Sequence, residues 1–229
     1  MKRDTLQKIL RFLIRVLTDT RFEGVEHIPT QGGVILATNH LSRLDIPVLF
    51  VNPVRNDLTG LVADKYKRHS IIAWFTRQAQ GIWLDRTKAD FSAFRDAIAA
   101  LGEQRVLGIA PEGTRSPGQL LEGKPGTILI ATRANVPIVP VAITGTKGGM
   151  QKILTFRRPH IRVRFGPAFQ VPALSRENRE AELKYWTDEL MCRIAVMLPE
   201  SYRGVYANHP RLAELIAAEQ SSVLSSSGL

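Results

Sequence analysis

Apolar residues follow two alternating patterns along the chain. One is a series of short uninterrupted runs, which lie at 34–37, 59–63, 81–84, 106–110 and 136–143. Runs of this kind are typical of strands whose two faces are both covered. The segments between the runs carry apolar residues at helical spacing, as at Phe91, Phe94 and Ala97. The alternation predicts a single α/β domain with a mainly parallel or mixed central sheet flanked by helices.

Further periodic segments complete the predicted order of elements. Helices are predicted at 45–51, 66–80, 91–104, 175–198 and 212–218. Two more strands are predicted at 21–29, a short edge strand closed by Pro29, and at 161–165, where apolar and basic residues alternate. The remaining segment, 221–229, is expected to be a disordered tail.

Residues 1–20 are predicted to form an amphipathic helix. Six apolar residues share one face, namely Leu6, Ile9, Leu10, Leu13, Val16 and Leu17. Lys8, Arg11 and Arg15 occupy the opposite face. No apolar run reaches the ~20 residues that span a bilayer, so the helix is expected to lie on a membrane surface that carries anionic lipid. The alternative is an ordinary helix packed on the domain. The α/β domain itself is predicted to occupy residues 21–220.

The charge balance narrows the range of partners. The chain has 31 Lys and Arg residues against 21 Asp and Glu, a formal net charge of +10, which favours anionic partners such as phospholipid or nucleic acid. Aromatic residues make up only 7% and form no evident stacking platform, so no nucleic-acid partner is expected. The basic segment 147–165 contains no acid and is either a solvated face or a contact for lipid head groups or an acidic acyl carrier. The single cysteine, Cys192, is expected to be a buried filler.

His40 and Asp45 are the strongest candidates for chemistry. A neutral imidazole is suited to accept a proton near pH 7, and a carboxylate on one ring nitrogen fixes its tautomer. The two residues lie five apart after the strand at 34–37, so a turn is needed to bring them together. Asp45 is predicted to be the N-cap of the helix that follows. The alternative is an exposed loop histidine beside an ordinary capping aspartate.

Polar residues follow the carboxyl ends of several predicted strands. They are Asn39 and His40, Asp85 and Arg86, the turn 111–116, and Thr144. Ligands of parallel α/β sheets bind beyond these ends, so the residues are expected to meet at one rim.

Four motifs in order give this rim a family resemblance. They are N-H-x4-D at 39–45, an apolar strand ending in Arg86, P-E-G-T-R-S at 111–116, and V-P-I-x-P-V at 136–141. In these motifs the chain resembles the glycerolipid acyltransferases of the 1-acylglycerol-3-phosphate acyltransferase kind. Lys124 and Gly126 also fit the pattern, whereas Ala110 stands where a phenylalanine is usual.

The resemblance implies transfer of a fatty acyl group from acyl-CoA or acyl carrier protein to the hydroxyl of lysophosphatidate, giving phosphatidate. His40 would be the general base and Asp45 would orient it. The implied substrate-binding residues are Asn39, Arg86, Glu112, Gly113, Thr114 and Arg115. No metal and no cofactor besides the acyl donor are expected, and the enzyme is expected at the cytoplasmic face of a membrane.

Other functions stay open at this point. The acceptor could be a different lysolipid or a polyol, handled by the same mechanism. A basic lipid- or nucleic-acid-binding module would retain the fold without catalysis. A thioester hydrolase would use water in place of the lipid hydroxyl.

Overall fold

A seven-stranded sheet forms the centre of the described structure. The structure is a computed structural model that describes residues 2–87 and 90–226. Its strands are β1 (Asp19–Glu23), β2 (Val34–Thr38), β3 (Thr59–Ala63), β4 (Ile82–Leu84), β5 (Val106–Ile109), β6 (Ile138–Thr144) and β7 (His160–Phe165). They are arranged in the order β1-β7-β6-β2-β5-β3-β4.

Most of the strand pairs are parallel. β2 pairs with β5 and β6, β3 pairs with β5 and β4, and all of these pairs run parallel. β7 is antiparallel to β6, and β1 is parallel to β7, so two strands at one side run opposite to the other five. The predicted α/β fold with a mainly parallel, mixed sheet is therefore confirmed.

The helices cover both faces of this sheet. They are α1 (Arg3–Leu17), α2 (Asp45–Phe50), α3 (Ser70–Gln78), α4 (Phe91–Gly102), α5 (Gly126–Ala134), α6 (Gly149–Leu154), α7 (Arg179–Val196) and α8 (Pro210–Ser226). β2 shows why both faces need cover, because all five of its residues are buried. Ile35 belongs to the core cluster that includes residues of α4, α5, α7 and α8, whereas Leu36 belongs to the cluster on the side of α1, α2 and α3.

Several predicted boundaries differ from the structure. The strand predicted at 21–29 is β1, which ends at Glu23, because Gly24 turns the chain at a φ of +71° into a 3-10 turn, Val25–His27. The helix predicted from 66 begins at Ser70, after a second 3-10 turn, Asp64–Arg68. α8 continues to Ser226, so 221–226 are helical rather than disordered, and 227–229 lie outside the described residues.

α1 packs on the sheet domain through one side only. Leu6 and Ile14 are buried against α2, and the guanidinium group of Arg3 donates to the carbonyl oxygens of Asn56 and Ala79 at 2.7 and 2.9 Å. The other side of α1 exposes five apolar side chains: Ile9, Phe12, Leu13, Val16 and Leu17. The predicted single apolar face is therefore divided between the core and the outer surface. Within 2–87 and 90–226, no helix combines the length and the apolar character needed to span a bilayer.

Candidate active site

The His40 ring and the Asp45 carboxylate are in direct contact. His40 Nδ1 lies 2.8 Å from Asp45 Oδ2, so the contact predicted between these two side chains is confirmed. Asp45 is buried, whereas the His40 side chain keeps 15% of its surface exposed. A carboxylate oxygen only accepts hydrogen bonds, so Nδ1 carries the proton in the neutral ring and Nε2 is left with a lone pair. The geometry makes His40 Nε2 a proton acceptor at a partly open site.

Asp45 does not act as the predicted helix cap. The N-cap of α2 is Leu44, and Asp45 is the first helical residue. Its Oδ2 instead accepts the backbone N–H groups of Leu41 and Ser42 at 2.7 and 2.8 Å. The carboxylate thus turns back onto the loop that carries His40. The same oxygen therefore shapes the loop and holds the ring.

Asn39 and Glu112 form hydrogen bonds to the backbone, and their predicted contacts with substrate stay a prediction. The buried Asn39 amide donates to the carbonyl oxygen of Ile143 at 2.9 Å and accepts its N–H at 2.7 Å, which fixes the end of β2 to β6. Glu112 is only 2% exposed, and its two oxygens accept the N–H groups of His40 and Leu121 at 2.9 and 3.0 Å. Both side chains are buried and paired, and their hydrogen bonds support the His40 loop.

The turn at 111–116 holds the His40 peptide from both sides. Besides the bond to Glu112, the N–H of Ser116 donates to the carbonyl oxygen of His40 at 2.8 Å. Burial raises the pKa of Glu112 above its ordinary value, and the N–H bonds from Leu121 and His40 partly offset that effect. Gly113 has a φ of +68°, and a Cβ there would come within 3.1 Å of the Lys124 side chain. Thr114 and Arg115 lie exposed beyond it.

Positive side chains gather around Tyr66 at the same rim. Arg115 Nη2 donates to Tyr66 Oη at 3.1 Å, and Arg43 Cζ and Lys65 Nζ lie 5.8 and 5.4 Å from the centre of the Tyr66 ring. The pKa of Arg86 is lowered by partial burial and then by the charge of Arg115, which lies near it. We call Arg43, Lys65, Arg86 and Arg115 the cationic rim. It is suited to bind a phosphate group.

Sequence reasoning missed three members of this arrangement. Tyr66 was assigned to a helix, and Arg43 and Lys65 were not among the predicted site residues. The signal for Tyr66 was its place just after the strand at 59–63, since residues there belong to the same rim as His40. The effect of the Arg115 charge on the pKa of Arg86 supports the prediction that the two residues lie at one rim. Among the residues that the structure describes, no group of His, Cys, Asp or Glu side chains is arranged to hold a metal ion.

Comparison with known sequences places the site within one family. The model of the family described as Acyltransferase matches residues 19–144, which include the His40 loop and the whole cationic rim. A 1-acyl-sn-glycerol-3-phosphate acyltransferase of Bacillus subtilis is 23% identical over 142 residues, which are 62% of this chain and 71% of the relative. An enzyme of the same name from Limnanthes douglasii is 30% identical over 149 residues. This alignment covers 63% of the chain and 50% of the relative, so the chain spans about half the length of that protein.

A solved structure extends the similarity to the fold. The crystal structure of the 1-acyl-sn-glycerophosphate (LPA) acyltransferase from Thermotoga maritima matches 82% of this chain and 79% of that protein. The TM-score is 0.63 and the sequence identity is 26%. The likeness therefore reaches beyond residues 19–144 to most of the chain.

Proposed function

The chain belongs to the Acyltransferase family, and we propose that it transfers a fatty acyl group from a thioester to the free hydroxyl of lysophosphatidate, giving phosphatidate. Relatives from two organisms and a solved structure carry the name of this activity. The observation that carries the proposal is the 2.8 Å contact between His40 Nδ1 and Asp45 Oδ2, on a loop that the turn 111–116 joins to the cationic rim. The His40 loop supplies the base in this proposal, and the cationic rim supplies the phosphate site.

His40 is the general base in the proposed reaction. Its Nε2 takes the proton from the acceptor hydroxyl as that oxygen attacks the thioester carbonyl. The new C–O bond forms, the C–S bond breaks, and the proton passes from Nε2 to the leaving thiolate. Asp45 holds the ring and offsets the positive charge that develops on it.

The proposed transfer is direct and uses no acyl-enzyme. Ser42 lies in the His40 loop, but its Oγ accepts the N–H of Leu44 at 2.9 Å and helps to shape the turn. Cys192 is fully buried on α7, and burial raises the pKa of its thiol to about 12. A thiol held in that state is not a nucleophile near neutral pH.

The cationic rim binds the acceptor's phosphate in this proposal. Arg115 donates to the Tyr66 hydroxyl, Arg43 and Lys65 lie near the Tyr66 ring, and the charge of Arg115 acts on the pKa of Arg86. Guanidinium groups bind phosphate through paired hydrogen bonds, and a dianion relieves the repulsion between neighbouring cations. The predicted roles of Gly113 and Thr114, as backbone donors to the same phosphate, belong to this proposal.

The donor and the location complete the proposal. Acyl-CoA and acyl carrier protein both present the acyl group as a thioester, so the chemistry at His40 is the same for either, and no further cofactor is needed. The exposed apolar side chains of α1, with the basic Lys8 and Arg15 near them, suit a peripheral position on an anionic membrane at its cytoplasmic face.

A mass-spectrometric product screen tests the proposal. Lysophosphatidate and other lysolipids are offered with acyl-CoA and with acyl carrier protein, and phosphatidate is the expected product. His40→Ala is expected to lower the rate about 1,000-fold or more, because the base is lost. Asp45→Asn is expected to lose less, because Nε2 remains. Normal turnover by the folded His40→Ala variant contradicts the mechanism, and a product other than phosphatidate contradicts the acceptor.

A further inference from the structure

α6 and the turn after it present large apolar side chains to solvent. Met150 is 53% exposed, Leu154 is 74% exposed, and Phe156 is fully exposed. We call these three residues the α6 prong. The other side of α6 is anchored, since Ile153 packs against the core beneath α1 and α2. The exposed side chains therefore project from a fixed element.

Phe156 occupies a backbone position that normally belongs to glycine. Its φ is +56°, its N–H donates to the carbonyl oxygen of Ile153 at 3.0 Å, and the N–H of Arg157 donates to that of Lys152 at 2.8 Å. This pair of bonds is the Schellman ending of a helix, in which glycine, and less often asparagine, takes the left-handed position. A bulky residue is strained there. In water Phe156 is thus unfavourable for two reasons, since its backbone is strained and its apolar ring is exposed to solvent.

The segment that carries the prong is rich in positive charge. The segment 147–164 holds six Lys and Arg residues and no acid. Arg162 and Arg164 are paired with Glu23, but the side chains of Lys152, in α6, and of Arg157, just after the turn, are exposed. Apolar side chains flanked by cations match the interface of a bilayer with anionic head groups.

The prong lies between α1 and the active-site loops. Arg158, two residues after Phe156, donates to the carbonyl oxygens of Arg15 and Thr18 at 2.8 and 2.5 Å, at the end of α1. On the other side, a Cβ on Gly149 would come within 3.0 Å of the side chain of Leu44, in the His40 loop. Lys147 Nζ donates to the carbonyl oxygen of Pro117, just past the turn 111–116.

We propose that the α6 prong is a second lipid-inserting element, which enters the interface of an anionic phospholipid bilayer beside α1. Lys152 and Arg157 bind lipid phosphates while Met150, Leu154 and Phe156 enter the apolar layer. The inference rests on the proposed membrane location of the enzyme. An acidic carrier protein would use the cations but would leave three large apolar side chains without a matching surface. Insertion here brings the His40 loop to the bilayer surface, where a lysolipid acceptor resides.

The substitution Phe156→Gly is expected to change vesicle binding without lowering the stability of the fold. Glycine suits the left-handed position, so the unfolding temperature of the full chain is expected to stay the same or rise. Binding to vesicles of phosphatidylglycerol and phosphatidylcholine in equal parts is expected to fall about tenfold, because a large apolar side chain is lost. Phe156→Asn, which also tolerates the left-handed position, is expected to behave in the same way.

Two controls make the result specific. Tyr185→Ala removes an exposed aromatic from α7, on the opposite face of the sheet, and is expected to leave vesicle binding unchanged. Acyl transfer to detergent-dispersed lysophosphatidate is expected to be unchanged in Phe156→Gly, and this rate tests the proposed function separately. Unchanged vesicle binding by Phe156→Gly and Phe156→Asn overturns the inference. So does a loss of carrier-protein binding with vesicle binding intact.

Discussion

Glu112 shows how a buried carboxylate can shape the loop that carries a candidate base. It receives N–H groups from His40 and Leu121, while burial raises its pKa. A raised pKa means that the folded state binds the proton more tightly than the unfolded state. The contribution of Glu112 to the free energy of unfolding therefore falls as the pH rises from the ordinary carboxyl pKa through the raised value.

Glu112→Gln tests both the hydrogen bonds that Glu112 accepts and the pH dependence that its raised pKa causes. One amide oxygen can still accept one N–H, but the amide NH2 faces the other, so we expect a loss of about 1–3 kcal/mol in the free energy of unfolding. The difference in the free energy of unfolding between the variant and the unsubstituted protein is expected to narrow as the pH rises through the raised pKa of Glu112. Urea titrations at several pH values measure it, and a gap independent of pH contradicts the assignment. Acyl transfer is expected to slow about 10- to 100-fold, because the His40 loop loosens.

The sequence predicted which residues belong to the candidate site, but it predicted less well which partners their side chains contact. The motif N-H-x4-D led to the contact between His40 and Asp45, because that chemistry needs both groups at one place. It did not tell that Asn39 points to Ile143, since a buried amide and a ligand-binding amide look alike in sequence. Tyr66 was missed because a 3-10 turn has no periodic signature.

At the scale of elements, the apolar runs predicted the strands, and the polar residues that follow them predicted the location of the candidate site. The carboxyl ends of β2, β4 and β5 do point to the same edge, as expected for parallel neighbours in α/β sheets. α5 and α6 were not predicted as helices. Both are short, and both begin beside glycines, at Gly126 and Gly149, which weaken the helical pattern in the sequence.

α1 is the element whose two sides can be tested separately. Leu6→Ala is expected to lower the free energy of unfolding by about 2–4 kcal/mol, because this side chain is buried against α2. The double change Phe12→Ser and Val16→Ser lies on the exposed side and is expected to leave the free energy of unfolding nearly unchanged while weakening vesicle binding. Urea unfolding and vesicle sedimentation measure the two effects. If the outer-side changes alone destabilise the protein, α1 is only a structural helix.

At the scale of the whole molecule, positive charge serves two proposed tasks that respond differently to salt. The net charge of +10 includes the exposed side chains of the cationic rim and the open basic surface of α1 and the α6 prong. Salt screens both sets of charges, with a Debye length of about 10 Å at 0.1 M and about 3 Å at 1 M. An anionic vesicle engages both sets, whereas a dispersed lysophosphatidate engages the cationic rim alone.

Raising the salt concentration is therefore expected to separate the two tasks. The rate on anionic vesicles should fall about tenfold or more between low and high salt, since each exposed Lys or Arg contributes about 1 kcal/mol of attraction to the surface. The rate on detergent-dispersed lysophosphatidate should fall less, because this substrate engages the cationic rim alone. Assays of both substrates across a salt series provide the comparison. Equal losses would place the salt-sensitive step at the cationic rim, and the basic outer surface would then have no part in reaching the membrane.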